Sequence, residues 1–393
     1  MLLALVAGQV GMHAAMAGMR MAFALQALRE GLGTWMVGLL LALFAAAAVL
    51  LALRSGRLVD RFGYHRPVYT ATAMVVTASL LAVVSTFVDG ALHFGMLCLA
   101  AMLAGSGANM GMLAIQHTAG QQARDSTERV RVFSWLGVAP SLSNVVGPVT
   151  AGLMIDLGGF AAAYAVLLVL PLVSLWSAWQ VPRRAPPPPA DPQRVRPPAW
   201  TLLAVPGMRR LLFVSWLIST GWDVHAFAVP ILGHELGFSA STIGLVLGVF
   251  TLSVTLVRLL IPLVAHRVDE VTVVSATMVG TALVFAVYPL AHSPWTMGLL
   301  AALLGVTLGS SQPMVLSTLH HLTPDDRHGE ALAFRSMTIN LSSTCMPLVF
   351  GAAGAAVGAG VLFWVVGALI GGGAWPARRL RAAGGAGAAP GVS

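Results

Sequence analysis

The feature that most constrains this chain is a succession of apolar runs, each about as long as a membrane is thick. A helix needs about 20 predominantly apolar residues to cross the hydrocarbon core of a bilayer. The runs are continuous, whereas the strands of an outer-membrane barrel alternate apolar and polar residues over about ten positions. Twelve runs can be placed, near residues 2–27, 35–53, 67–88, 94–116, 132–156, 160–180, 208–232, 241–262, 271–291, 295–318, 332–356 and 360–375. The sequence therefore predicts an all-α polytopic membrane protein with twelve transmembrane helices.

Composition leads to the same class of protein. Only 9% of the residues are charged and 57% are hydrophobic, whereas soluble domains carry about 25% charged residues. A chain with so few charges cannot cover a water-facing surface. The first run has no basic stretch before it, and Arg20 interrupts it, so we expect a retained helix rather than a cleaved signal peptide.

The basic residues indicate an orientation in the membrane. All 22 are arginine, and without a lysine the chain has no Walker A loop for ATP. With both termini in the cytoplasm, eighteen arginines fall on the cytoplasmic side and only Arg29 on the other. This asymmetry predicts an inner-membrane protein with cytoplasmic termini. The net charge of +8 is therefore interpreted as a topology signal, and no nucleic acid is expected as a partner.

A polar segment between the second and third runs reads Gly56-Arg57-Leu58-Val59-Asp60-Arg61-Phe62-Gly63-Tyr64-His65-Arg66. It resembles the loop between helices two and three of major facilitator superfamily transporters, G-x-L-A-D-R-x-G-x-R/K-x-x. The glycines suit a tight turn, and the arginines hold the segment at an anionic membrane face. The matching positions are Gly56, Leu58, Asp60, Arg61, Gly63 and Arg66. The resemblance implies a gating role for Asp60, which would dock at the start of helix eleven near Glu330.

A second segment in the fifth run reads Gly147-Pro148-Val149-Thr150-Ala151-Gly152. It resembles the G-P-x-x-G-G segment of antiporters in this superfamily, with Ala151 in place of one glycine. The resemblance favours an exporter, while close helix packing through small residues is the alternative interpretation. Many proton-coupled relatives carry an arginine where this chain has Ala101, so the resemblance does not supply the usual coupling residue.

The centre of the chain separates two halves. Four consecutive prolines stand at 186–189, and four arginines lie between 181 and 206 without apolar periodicity, which is typical of a stiff solvated linker. The predicted division is a six-helix bundle over 1–180, a linker over 181–207, a second six-helix bundle over 208–376, and a disordered tail over 377–393.

The two halves are weak repeats of each other. A shift of 206 residues places Gly38 on Gly244 and Arg20 on Ala226. In the superfamily that the chain resembles, two such halves are related by an axis normal to the membrane, with the substrate site between them near the midplane. We therefore expect two pseudo-symmetric six-helix bundles.

Ionisable groups inside apolar runs are costly and are functional by default. Asp223 lies thirteen residues after Arg210, about 20 Å along a helix, and Arg20 lies at a similar depth in the equivalent helix of the first half. Both are candidates for substrate binding or ion coupling, and a fixed structural ion pair is the alternative. The resemblance places spans one, four, seven and ten around the cavity, which adds Asn109 and Gln312. For these two, interhelical hydrogen bonds are the alternative.

The resemblance implies a secondary transporter that works by alternating access. Proton-coupled export of a small organic molecule is the first expectation, and import of an organic anion held by Arg20 is the second. A polytopic membrane enzyme is the third, but the deep polar residues do not combine a nucleophile with a base. The expected partners are a small-molecule substrate, protons or another coupling ion, and the lipid bilayer. No metal or cofactor is expected, and the protein is expected to be a monomer.

Overall fold

The computed structural model describes residues 2–122, 126–182, 199–264, 269–323 and 327–379. Across these ranges the secondary structure is helical, without a β-strand. Short 3₁₀ segments follow α5, precede α7 and follow α9. The helices are α1 Leu2–Arg29, α2 Thr34–Phe62, α3 His65–Ser85, α4 Gly90–Gln122, α5 Ser126–Val169, α6 Val173–Trp179, α7 Met208–Glu235, α8 Ala240–Val264, α9 Glu270–Val287, α10 Pro294–Leu322, α11 His328–Val357 and α12 Ala359–Arg378.

Eleven helical segments in the described part of the chain are long and apolar enough to cross a membrane. One of them, Val138–Trp179, has 42 residues, which is about 63 Å of helix and roughly twice the thickness of a hydrocarbon core. Gly159 interrupts it with φ 75° and ψ −174°, a conformation that glycine adopts easily. This segment accounts for two crossings, so the structure agrees with the twelve that were predicted.

Contacts with α1 demonstrate that the chain reverses direction at Gly159. Ser143, before the glycine, donates a hydrogen bond to the carbonyl of Val10 at 3.3 Å. Ser174, after it, donates to the carbonyl of Gly8 at 2.8 Å. Two residues on either side of Gly159 therefore lie at nearly the same height along α1. The fifth and sixth crossings are joined by this turn without a polar loop.

The first six helices meet the last six at close crossings of α2 with α11 and of α5 with α8. A Cβ atom on Gly38 would collide with the carbonyl oxygen of Pro347, and one on Gly244 would collide with that of Pro148. Small residues allow backbones to approach in this way. Gly38 and Gly244, which the repeat alignment pairs, therefore occupy equivalent positions in the structure, because each packs on a proline carbonyl of the opposite half.

The 56–66 segment differs from its prediction in one respect. Helix α2 continues through most of it, and the turn is confined to Gly63, whose φ is 65° and whose N–H donates to the carbonyl of Val59 at 2.8 Å. Gly56 lies inside the helix with open space around it, so the expectation that it forms part of the turn is wrong. Arg57 and Arg61 are exposed and share a helical face, which allows α2 to continue past its apolar part.

The remaining predicted boundaries fall partly outside the described residues. Residues 183–198 of the linker and residues 380–393 of the tail belong to this group. The first residues after the linker gap form a 3₁₀ helix, Ala199–Ala204. The division of the chain at 180 and 208 remains a prediction from the sequence.

Candidate functional site

A cavity of about 380 Å³ lies between the two halves of the protein. Helices α1, α2 and α5 line it from one half, and helices α7, α8, α10 and α11 line it from the other. Its volume falls in the range of pockets that bind small organic molecules, about 300–1,000 Å³. Three of the predicted site residues line it, namely Arg20, Asp223 and Gln312.

The carboxylate of Asp223 is held by two neighbouring serines of α11. Ser342 donates to one carboxylate oxygen at 2.7 Å, and Ser343 donates to the other at 3.0 Å. The side chain of Asp223 is buried, with 8% of its surface exposed. Hydroxyl donors of this kind partly replace the hydration that a carboxylate loses on burial. The position of Asp223 is thereby fixed by α11 rather than by the other half.

Arg20 approaches the same cavity from α1. It is close enough to Asp223 for the two charges to interact through space. Among the ion pairs between described residues, however, none joins the two side chains within 4.0 Å. The alternative of a fixed structural ion pair is therefore not the arrangement in this structure. Among the described lining residues, Arg20 is the cation from the first half, and it faces the carboxylate of Asp223 in the second half across the cavity.

A second arginine of the cavity is Arg258 of α8, which was not among the residues predicted for the site. Its guanidinium lies over the ring of Trp222, 5.9 Å from the centroid. Gln312 of α10 lies on the same wall and accepts a hydrogen bond from Arg335 of α11. Arg258 and Arg335 could have been predicted on the same ground as Arg20, because each is an ionisable group in an apolar run.

An aromatic cluster completes the wall formed by α7 and α8. Trp222 and Phe250 meet edge to face with ring centroids 4.7 Å apart, and His225 lies 4.3 Å from Phe250. The Nε2 atom of His225 is 3.1 Å from the hydroxyl oxygen of Tyr288. Rings in these geometries pack favourably. Charged groups and aromatic faces are therefore combined in one wall.

Asn109 of α4 is not among the described residues that line this cavity. Its helix packs tightly against its neighbours, since a Cβ on Gly105 would collide with the backbone of Phe44 and one on Gly111 with the side chain of Met12. The assignment of Asn109 to the substrate site rests on the sequence alone.

The antiporter-like segment of α5 contacts both halves. A Cβ on Gly147 would collide with the carbonyl oxygen of Ala14 in α1, and one on Gly152 with that of Ala240 in α8. Pro148, between them, lines the cavity. The small residues of this segment therefore bring α5 against α1 on one side and α8 on the other.

The polar end of α2 has a simpler geometry. The guanidinium groups of Arg61 and Arg66 lie 5.1 Å and 4.5 Å from the ring centroid of Phe62. The side chain of Asp60 lies outside the described residues. Glu330 accepts a hydrogen bond from Arg327 at 2.6 Å. The expected approach of Asp60 to Glu330 is therefore still a prediction.

In the described part of the chain, membrane-spanning helices pack in two halves around a cavity with charged side chains in its wall, an arrangement that is typical of a polytopic membrane transporter. The profile of the Major Facilitator Superfamily matches residues 5–211 and again residues 211–388. The chain belongs to the Major Facilitator Superfamily. The enzyme alternative is thereby set aside, because the fold and the relatives are those of transporters.

Individual proteins are similar to this chain over most of its length. The tetracycline resistance protein of class C from Escherichia coli is 28% identical over 346 residues, which cover 85% of this chain and 84% of that protein. A POT family transporter solved with a thioalcohol-conjugated peptide has a TM-score of 0.76 at 12% identity, with 95% and 94% of the two chains covered. A bacterial homologue of the human lysosomal transporter Spinster, in an inward-facing and occupied conformation, has a TM-score of 0.72 at 13% identity, with 98% and 94% covered.

Proposed function

We propose that this protein is a secondary active exporter that moves a small organic molecule by alternating access and exchanges it for protons. The observation that carries the proposal is the cavity between the halves, with a buried carboxylate at Asp223. Similarity to a tetracycline resistance protein supports export. The antiporter-like segment at Gly147, Pro148 and Gly152 supports exchange rather than cotransport.

The proposed coupling depends on Asp223 and Arg20. A carboxylate away from water exchanges its proton when a nearby cation approaches or withdraws. The two residues belong to different halves, so rocking of the halves changes their separation. Asp223 would bind a proton in one conformation and release it in the other. Gln312 would contact the substrate, and Asp60 with its neighbours in the 56–66 segment would stabilise one of the conformations.

The predicted orientation has its own test. The arginine asymmetry predicts that both termini and the linker lie in the cytoplasm. A reporter that is active only in the cytoplasm should give a signal when it is fused at Pro187 and none when it is fused at Gly237. The reverse result would contradict the orientation.

The transport proposal is tested in proteoliposomes that contain the purified chain. Compounds that raise its thermal stability, with tetracycline in the library, are selected first because a ligand of the native state stabilises it. An exchanger should accumulate the selected compound when the lumen is acidic, and a proton ionophore should abolish the accumulation. No accumulation under either direction of the pH gradient would contradict proton coupling.

Import of an organic anion is the second candidate, and the observation that favours it is Arg20 in the cavity wall. The same proteoliposomes separate the two mechanisms. Cotransport with protons requires an acidic exterior for accumulation, whereas exchange requires an acidic lumen. The direction of the gradient that drives uptake therefore distinguishes the candidates.

A further inference from the structure

We propose that the cavity recognises its substrate through an anionic group that binds Arg258 and Gln312 beside the ring of Trp222. The inference rests on the proposed transport function, for which it names a class of substrate. The body of the substrate would be planar and apolar, because Trp222 and Phe250 form the adjacent wall.

The position of Arg258 places this subsite toward one end of the cavity. Arg258 lies six residues before the end of α8, about 9 Å along the helix axis. Arg335 lies seven residues after the start of α11, about 10 Å along the axis. Both helix ends are on the side of the membrane where α2 ends. Asp223 is deeper, fifteen residues after the start of α7, about 22 Å along the axis.

Arg258 has no counterion within the described part of the chain. It forms no ion pair or hydrogen bond with another described residue there, and its Nε atom is buried without a partner. Withdrawing a guanidinium from water without a counterion is costly. Its guanidinium lies over the ring of Trp222, 5.9 Å from the centroid, and its remaining N–H groups are available to an acceptor. An anion on the substrate supplies the missing partner.

Other groups of the same wall are also hydrogen-bond donors. The carbonyl oxygen of Gln312 accepts from Arg335, so its amide N–H groups are left to donate. The indole N–H of Trp222 and the hydroxyl of Ser219 are buried without partners at the cavity wall. The carboxylate in the lining, Asp223, already accepts from two serines. The wall therefore complements a ligand rich in acceptors.

The test uses three compounds that carry the same naphthalene ring, namely 2-naphthoate, 2-naphthamide and 2-naphthylmethylammonium. Their binding to the purified full chain is measured by calorimetry. The anion is expected to bind at least about tenfold more tightly than the other two, a difference of 1.4 kcal/mol. Arg258→Gln should weaken this preference, and Arg258→Lys should retain more of it. Arg378→Gln, at an exposed arginine, should leave it unchanged.

Two results would overturn the inference. One is equal or undetectable binding of the three compounds, or tighter binding of the amine. The other is an unchanged preference in Arg258→Gln, with circular dichroism and thermal unfolding showing that the variant is folded. Transport is measured separately in proteoliposomes. If 2-naphthoate binds but is not transported, the transport proposal is contradicted, whereas the inferred class of ligand is still supported.

A second inference comes from an independent contact at the opposite end of the molecule. Asp156, near the end of the first part of α5, accepts the backbone N–H of Ala240 at 3.0 Å and that of Ser241 at 2.8 Å. These N–H groups belong to the first turn of α8, which has no intrahelical acceptors for them and carries a partial positive charge. Arg29 is 3.9 Å from the same carboxylate.

We infer that Asp156 is a latch that keeps the two halves closed on the side opposite the 56–66 segment. Both of its bonds join α5 to α8, and the close approach of Gly152 to Ala240 lies beside them. Opening of the cavity toward that side must separate these two helix ends. The bonds of Asp156 are therefore made in one conformation and broken in the other.

The latch is tested by distances between spin labels at Phe87 and Trp295, which are 77% and 89% exposed on that side of the two halves. The background carries Cys98→Ala and Cys345→Ala. Asp156→Ala should increase the share of long distances, and Asp156→Asn, which keeps one acceptor, should do so less. Glu235→Gln, at an exposed acid on the same side, is the control. A distribution unchanged in Asp156→Ala would overturn the latch.

Discussion

The two halves meet at the crossing of α5 with α8 and again around the cavity. These two places differ in how closely the helices pack and in how their polar groups are paired. At the crossing, Gly152 and Gly244 leave no room for a Cβ atom, and Asp156 bonds directly across the contact. The cavity has a volume of about 380 Å³. In it, Arg20 and Asp223 face each other, and their side chains form no ion pair within 4.0 Å. The halves are thus closed at one end and apart in the middle. A transporter whose halves rock requires both kinds of contact: a closed crossing that seals one side of the membrane, and a cavity that holds the substrate.

The largest effect is expected from filling the crossing. Gly244→Leu forces α8 away from the carbonyl of Pro148, and overpacking of this kind costs about 1–3 kcal/mol. At about 2 kcal/mol, the middle of this range, the conformation that contains this crossing is disfavoured roughly thirtyfold, and transport should fall accordingly. Initial rates in proteoliposomes measure the loss.

Gly95→Leu is the matched control for this substitution. Gly95 also lies in a membrane-spanning helix, but a Cβ there meets nothing within 4 Å. The control should transport at a normal rate. Equal losses in Gly244→Leu and Gly95→Leu would mean that the close crossing has no special importance.

A smaller effect is expected from the cavity side of the comparison. Arg20 is the cation that the first half contributes, so Arg20→Gln should raise the apparent KM for an anionic substrate by roughly tenfold, or 1.4 kcal/mol. The reason is the loss of one of the two arginines in the described lining. Uptake measured over a range of substrate concentrations gives the KM. An unchanged KM would remove Arg20 from the substrate site.

The smallest effect is expected at Asn109, which is outside the described lining of the cavity. Asn109→Ala should leave the transport rate within about twofold, the range of most substitutions away from a site. Gln312→Ala, at a lining residue, should reduce the rate further. If the two variants lose the same activity, Asn109 also belongs to the substrate site.

The fold could be predicted because a bilayer allows few structures. Every backbone polar group must be satisfied within the membrane, so apolar runs of sufficient length become helices. The run 208–232 corresponds to Met208–Glu235 and the run 2–27 to Leu2–Arg29. The turn at Gly159 carries no polar loop, and its sharpness depends on one backbone conformation. The extension of α2 past Gly56 was not predicted, because exposed arginines are compatible with both a helix and a loop.

The site could be predicted only in part, because a sequence gives the depth of a residue but not its rotation about the helix axis. Arg20 and Asp223 were selected because a charge in lipid is costly. Asn109 lies at a suitable depth in α4, but it is not among the described residues that line the cavity. Ser342 and Ser343 carry no charge that would mark them, although they hold the carboxylate of Asp223. Arg258 lies inside the predicted run 241–262 and could have been selected on the same ground as Arg20.

Coupling of proton movement to transport by Asp223 is tested most directly by one substitution. Asp223→Asn cannot release or bind a proton at that position, but it keeps the shape and can still accept from a serine hydroxyl. Substrate binding and exchange without a gradient should persist in proteoliposomes, while accumulation driven by an imposed pH gradient should be lost. If Asp223→Asn still concentrates the substrate under that gradient, Asp223 is not the coupling residue and the account is contradicted.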